Sequence, residues 1–227
     1  MSRGRLIAIG DIHGCYDELR ELLDRIGPGS ADTVISVGDI VRKGPEPVRC
    51  LELWRKNRFL AVRGNNENRL LDRAESMLRF PWEADRELLR RDDLMEYIAS
   101  WPLVIDVPDA GVSVVHGGFL PNSTITTESL EAQKQTLSTL RWIRKVEGKW
   151  TSSPEKRRTN GDVLWSEKWK GERFVVYGHT PLQEPRFDPR ALGLDTGCVY
   201  GGALTGAILK DGEWSTLQVV ARRPYSE

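Results

Sequence analysis

Short apolar runs alternate with amphipathic stretches through the first third of the chain. Residues 5–9, Arg-Leu-Ile-Ala-Ile, read as a strand that meets the polar loop Gly10-Asp11-Ile12-His13-Gly14. Leu19, Leu22, Leu23 and Ile26 fall at i, i+3, i+4 and i+7, which predicts a helix over 16–26 ended by Gly27-Pro28-Gly29. Residues 33–37 repeat the strand pattern and run into Gly38-Asp39; 45–57 read as the next helix. A third strand over 59–62 runs into Arg63-Gly64-Asn65-Asn66-Glu67 and a further helix. This β-α-β-α-β alternation predicts parallel strands joined by right-handed crossovers. In open α/β sheets ligands sit at the carboxyl ends of strands, and all three polar loops fall at such ends.

The stretch 72–101 is charged and helical in pattern and is expected to cover the sheet. Strands are predicted at 103–107 and 112–115, the second meeting His116-Gly117-Gly118. Residues 128–146 are predicted helical and 147–161 a loop. A strand over 173–177 leads to Gly178-His179-Thr180, and 193–220 reads as a meander of short strands. With no internal repeat and no linker, the chain is expected to form one domain over 1–227: two stacked sheets flanked by helices, with 72–101 as a helical cover.

Composition narrows the class. At 227 residues and 39% hydrophobic, the chain can bury one large core or two small ones. Lysine plus arginine number 33 against 33 aspartate plus glutamate, and this zero net charge argues against a nucleic-acid polymer or a membrane surface as partner. The first apolar run is four residues, Leu6 to Ile9, too short for a signal peptide, and no stretch approaches a membrane span. Cys15, Cys50 and Cys198 form no CxxC pair, so neither a disulfide framework nor a zinc finger is indicated. A cytoplasmic enzyme is the expectation; nothing in the chain fixes its oligomeric state.

Five strand-end loops carry the candidate chemistry: Asp11-x-His13, Asp39, Asn65, His116 and His179. Carboxylate, imidazole and amide oxygen suit divalent ions such as Mn²⁺, Fe²⁺ or Zn²⁺. Alternate residues of a strand-end loop share a face, so Asp11 and His13 can reach one ion, and a carboxylate such as Asp39 can bridge two. A lone Gly-Asp or His-Gly is weak evidence. The weight comes from all three histidines of the chain occupying glycine-flanked strand-end loops.

In order, these motifs resemble the signature of the calcineurin-like metallophosphoesterases: GDxHG, GDxVxRG, GNHE/D, HGG and GHT. The likeness spans nearly the whole chain and is nearest the phosphoprotein-phosphatase branch, with its bacterial members and symmetrical diadenosine tetraphosphatases. It implies an α/β fold, a four-layer α/β/β/α sandwich of two mixed sheets. It implies two divalent metal ions, Mn²⁺ first and Fe, Zn, Ni, Co or Mg as alternatives. Asp11, His13 and Asp39 would hold the first ion; Asp39, Asn65, His116 and His179 the second. The implied chemistry is in-line attack on phosphorus by a hydroxide between the two metals.

Two departures bear on substrate. The family's GNHE is here Gly64-Asn65-Asn66-Glu67, so the histidine that serves as general acid is replaced by Asn66. The family's GDxVDRG is here Gly38-Asp39-Ile40-Val41-Arg42-Lys43-Gly44, so the aspartate that pairs with that histidine in protein phosphatases is Arg42. Acid and orienter are lost together. General-acid help is worth roughly 10²–10⁴-fold, whereas a phosphate, with a second pKa of about 6, departs unprotonated. The expected substrate is therefore a small phosphoanhydride or activated phosphoester, as in a diadenosine tetraphosphatase. A serine/threonine or tyrosine protein phosphatase acting on a phosphoprotein is the alternative, and a non-catalytic scaffold is a third. Arg42, Lys43, Arg144 and Arg173 are the expected substrate phosphate contacts, with Arg141 behind them. Trp142, Trp165 and Trp169 are candidates to stack on a base, the remaining tryptophans being assigned to packing.

Overall fold

The computed structural model describes residues 4–77, 83–121 and 130–226. Residues 78–82 of the expected cover, including Trp82, and residues 128 and 129 of the expected helix lie outside them.

Strand β1 (Leu6–Ile9) is followed by helix α1 (Tyr16–Ile26), β2 (Thr33–Ser36), α2 (Pro47–Lys56), β3 (Leu60–Ala61) and α3 (Asn65–Met77). The three strands pair in parallel, with Ile9 beside Ser36 and Ser36 beside Ala61, so their carboxyl ends finish level and their polar loops emerge side by side. The C-terminal hairpin, β13 (Ala203–Lys210) and β14 (Glu213–Val220), joins antiparallel along β1. With β12 (Asp195–Thr196) at the far edge, the first sheet runs β12-β13-β1-β2-β3, β14 also pairing with β13.

The second sheet runs β10 (Arg186–Asp188), β11 (Ala191–Gly193), β9 (Phe174–Tyr177), β5 (Val112–Val115) and β4 (Val104–Val107). β5 and β9 are parallel neighbours, so His116 and His179 also leave from carboxyl ends. Strand alternation builds the layers. Leu6 and Ala8 pack between the sheets with Ile35, Val37, Val114 and Val176. Ile7 and Ile9 point the other way, into the core formed with Leu19, Leu22, Leu51 and Trp54 of α1 and α2. The outer face of the second sheet is covered through Val115, Val175 and Tyr177 by Leu137, Ile143 and Trp165. The two stacked mixed sheets with helices on the first match the expected α/β sandwich, the fourth layer combining α6 with strand and turn segments.

Helices α4 (Glu83–Leu88) and α5 (Asp92–Ala99) pack on the helix side, where Leu88, Leu94 and Ile98 are buried. The expectation for 128–161 is corrected. Among its described residues only α6 (Lys134–Thr139) is α-helical, with a single 3-10 turn at Glu155–Arg157; β6 (Trp142–Val146), β7 (Lys149–Ser153) and β8 (Val163–Leu164) form a third, three-stranded antiparallel sheet. Glu147 and Gly148 both take positive φ (48° and 80°), the geometry of a two-residue hairpin turn, and this turn folds β7 back on β6. Among the described residues, no helix is long and apolar enough to cross a membrane.

Candidate metal centre

The five loops meet where the two sheets abut. Asp11, His13, Asp39 and His116 are all buried. Ligand atoms of Asp11, His13 and Asp39 lie within 4.8 Å of one another. Nε2 of His13 is 3.5 Å from Asp39 Oδ2 and 4.0 Å from Asp11 Oδ2; Nε2 of His116 is 3.5 Å from Asp39 Oδ1. Asn65 Oδ1 lies 3.1 Å from His116 Nε2, and the rings of His116 and His179 meet edge-on at 5.0 Å. All six expected ligands are thus brought together, with Asp39 between the groups from the two sheets.

Fixed orientation comes from the surroundings. Nδ1 of His13 donates to the Val41 carbonyl (3.1 Å) and Nδ1 of His116 to the Val37 carbonyl (2.9 Å), which leaves both Nε2 atoms toward the centre. His13, Asp39 and His179 hold left-handed backbone (φ 48°, 53° and 65°), a cost accepted only where the surroundings dictate it. Glu67 is fully buried and accepts the backbone N–H groups of Asp39, Ile40, Val41 and Gly64, so it clamps the Asp39 loop. That role is absent from the sequence reading, although the acidic residue ending Gly64-Asn65-Asn66-Glu67 was its visible signal. Two glycines make room for the carboxylates: a Cβ at Gly64 would sit 2.2 Å from Asp39 Oδ1, and one at Gly178 would sit 2.1 Å from Asp11 Oδ1.

The electrostatics are those of buried carboxylates facing imidazoles. Burial, with Asp195 nearby, pushes Asp11 well above the usual carboxylate range. Burial would raise Asp39 too, but His116 and His13 beside it hold it well below. His116 is raised to about 10, Asp39 and Asp11 outweighing its burial. Burial lowers His13 to about 4 against the pull of Asp39, and burial also holds His179 well below the ordinary imidazole value, with His116 and Arg141 adding to the effect. Acidic and imidazole donors, glycine-cleared space and pinned rings fit divalent ions at this place.

The expected substrate contacts divide. Lys43 reaches the centre, its Nζ donating to His13 Nε2 at 3.1 Å and lying 5.1 Å from the Tyr200 ring centroid. Arg42 turns inward: its Nε donates to Asp85 Oδ2 (3.1 Å) and its Nη1 to Asn66 Oδ1 (3.2 Å), with the side chain 8% exposed. Asn66 in turn donates from its backbone N–H to Asp39 Oδ1 (2.9 Å) and from Nδ2 to Asp39 Oδ2. Asp85–Arg42–Asn66–Asp39 is therefore one connected chain, in which Arg42 is committed to the fold and not offered to the cleft. Arg144 is corrected: on β6 it is held by Asp162 at 2.8 Å and by the Arg157 carbonyl, outside the wall of the adjacent cavity. Arg173 is corrected also: it precedes β9, at the end opposite His179, 3.8 Å from Asp106. Arg141, ranked behind them, is the one that lines the cavity beside His179 and donates to the His179 carbonyl at 3.0 Å. Trp165 and Trp169 pack with Phe119 in the outer core, which removes them as base platforms; Trp142 lines the cavity.

This constellation on this fold defines a class. The family model for calcineurin-like phosphoesterases matches residues 4–214, and the chain belongs to that family. Among its relatives, the asymmetrical bis(5'-nucleosyl)-tetraphosphatase PrpE of Halalkalibacterium halodurans is 29% identical, over 95% of this chain and 94% of that protein. The enzyme of the same name from Geobacillus thermodenitrificans is 28% identical over 96% and 94%. A crystal structure described as a candidate diadenosine tetraphosphatase superposes with a TM-score of 0.79 at 28% identity, covering 95% of this chain and 94% of that one. A serine/threonine phosphatase from Saccharomyces cerevisiae shares the fold, with a TM-score of 0.64 at 16% identity over 100% of this chain and 84% of that one.

Proposed function

We propose that the chain hydrolyses phosphoanhydride bonds of small nucleotides, dinucleoside tetraphosphates foremost, using two divalent ions with Mn²⁺ first in order. Asp11, His13 and Asp39 would hold one ion; Asp39, Asn65, His116 and His179 the other. Bound there, the ions would lower the pKa of the attacking water and stabilise charge on phosphoryl oxygens. Lys43 supplies a cation at the same centre, a point charge suited to a phosphate oxygen.

The observation that carries this reading is the state of Asn66. Its amide nitrogen donates to Asp39 and its amide oxygen is taken by Arg42. An amide so held can donate a hydrogen bond but has no proton to transfer. A leaving group must then depart as an anion, which suits a nucleotide or phosphate and disfavours a serine alkoxide. The relatives of matching length, named as nucleosyl-tetraphosphatases, support the same substrate class. Asn66→His tests it: activity on alkyl phosphate monoesters is expected to rise by roughly 10-fold or more as a protonable group returns. No gain on those substrates would mean that another group already supplies the proton.

A further inference from the structure

Next to the metal centre lies a cavity of about 910 Å³, within the usual size of ligand pockets, with Asn65 and His179 in its wall. Among the described residues its charge is balanced. Arg69, Lys134 and Arg141 are matched by Asp72, Glu131 and Glu155, and two of the cations are already paired: Lys134 with Asp72 at 2.8 Å and Arg141 with Glu155 at 2.7 Å. A phosphate chain entering here would meet as many carboxylates as cations among the described residues. The cavity thus suits a neutral, hydrogen-bonding part of a substrate, the phosphates remaining with the ions and Lys43.

Two side chains point to the chemistry of that part. Trp142 lines the cavity, and the guanidinium of Arg158 lies 4.1 Å from its ring centroid, which steadies the indole as a platform. Asn65, Asn68, Arg69 and Asp72 follow one another at i, i+3, i+4 and i+7 on α3 and so share the face that lines the cavity. Asn68 is 5% exposed, and neither its Oδ1 nor its Nδ2 has a hydrogen-bond partner among the described residues. Leaving a buried amide unpaired is costly. An amide offering both donor and acceptor complements a base edge, which carries both, and not a phosphate, which only accepts when ionised.

We propose that this cavity is a nucleoside subsite, in which the base of the substrate stacks on Trp142 and Asn68 reads its edge. The inference rests on the reading of the metal centre as the phosphate end. Its test is inhibition of p-nitrophenyl phosphate hydrolysis by the Mn²⁺-loaded protein, with AMP compared against inorganic phosphate. AMP is expected to inhibit at roughly 10-fold or more lower concentration than phosphate, Trp142→Ala to abolish that advantage and Trp142→Phe to retain most of it. Asn68→Ala is expected to shrink the same ratio without lowering the melting temperature, because it deletes groups that the fold does not use. An AMP-to-phosphate ratio near one in the wild type, or one that survives Trp142→Ala, overturns the subsite. A lower melting temperature for Asn68→Ala overturns the part given to Asn68. The two readings fail separately. If diadenosine tetraphosphate is hydrolysed but the ratio ignores Trp142, only the subsite falls. If the ratio depends on Trp142 but the dinucleotide is not hydrolysed, the substrate assignment falls and the subsite stands.

Discussion

Arg42 and Lys43 adopt left-handed backbone in succession (φ 69° and 67°), a conformation that costs a non-glycine residue of order 1 kcal/mol or more. The strained turn sends the two cations to different places, Arg42 inward to Asp85 and Lys43 to His13. Asp85 is fully buried, and burial raises its pKa even with Arg42 beside it. Breaking such a buried pair from one side costs about 3–5 kcal/mol. Asp85→Leu is therefore expected to lose about that much stability in denaturant unfolding, and Arg42→Met with Asp85→Leu to recover most of it. Equal loss in the single and double variants would show that the pair is not the source. The motifs made Arg42 visible as a departure, but nothing in them could name its partner: Asp85 lies 43 positions away, on a six-residue helix with no pattern of its own.

At the scale of elements, register decides the site and local pairing decides stability. Arg5, just before β1, donates to Asp32, just before β2, and to the carbonyls of Ile26 and Gly27 that end α1. The Arg5 guanidinium holds Asp32 at about 2, below the ordinary carboxylate value of about 3.9. A depressed folded pKa means stability present above the unfolded value and lost as pH falls from about 4 through 2. Asp32→Asn is accordingly expected to cost about 1–3 kcal/mol near neutral pH, with the difference from wild type vanishing towards pH 2. A difference independent of pH in unfolding measurements would contradict the assignment. The strands and helices of residues 5–65 were legible because periodicity and glycine-bearing loops agree there. Residues 142–153 were not. Their Glu147-Gly148 turn uses glutamate in a left-handed position, whereas the Asp211-Gly212 turn of the β13–β14 hairpin (φ 52° and 86°) uses a familiar residue and was read as a strand meander.

In the whole molecule, the first sheet contributes Asp11, His13, Asp39 and Asn65, and the second contributes His116 and His179, so the centre exists only when both sheets are stacked. Ions held across that junction should stabilise the stack. Adding Mn²⁺ to chelator-treated protein is expected to raise the melting temperature, the gain reaching about 2.7 kcal/mol at a hundredfold excess over the dissociation constant. Asp39→Asn should remove most of that gain, and an unchanged gain would place the ions elsewhere. The candidate ligand set was legible because each member ends a strand beside glycine; the cavity beside it was not, since its walls come from α3, α6 and the third sheet, whose residues have a helix-like pattern. What separates this centre from an acid-assisted phosphatase is Asn66, held between Asp39 and Arg42. The most direct measurement is turnover of diadenosine tetraphosphate and a phosphoserine peptide by the Mn²⁺-loaded protein at one pH. A centre without a general acid predicts kcat/KM for the dinucleotide at least ~10²-fold above that for the peptide. Equal values for the two substrates would contradict it.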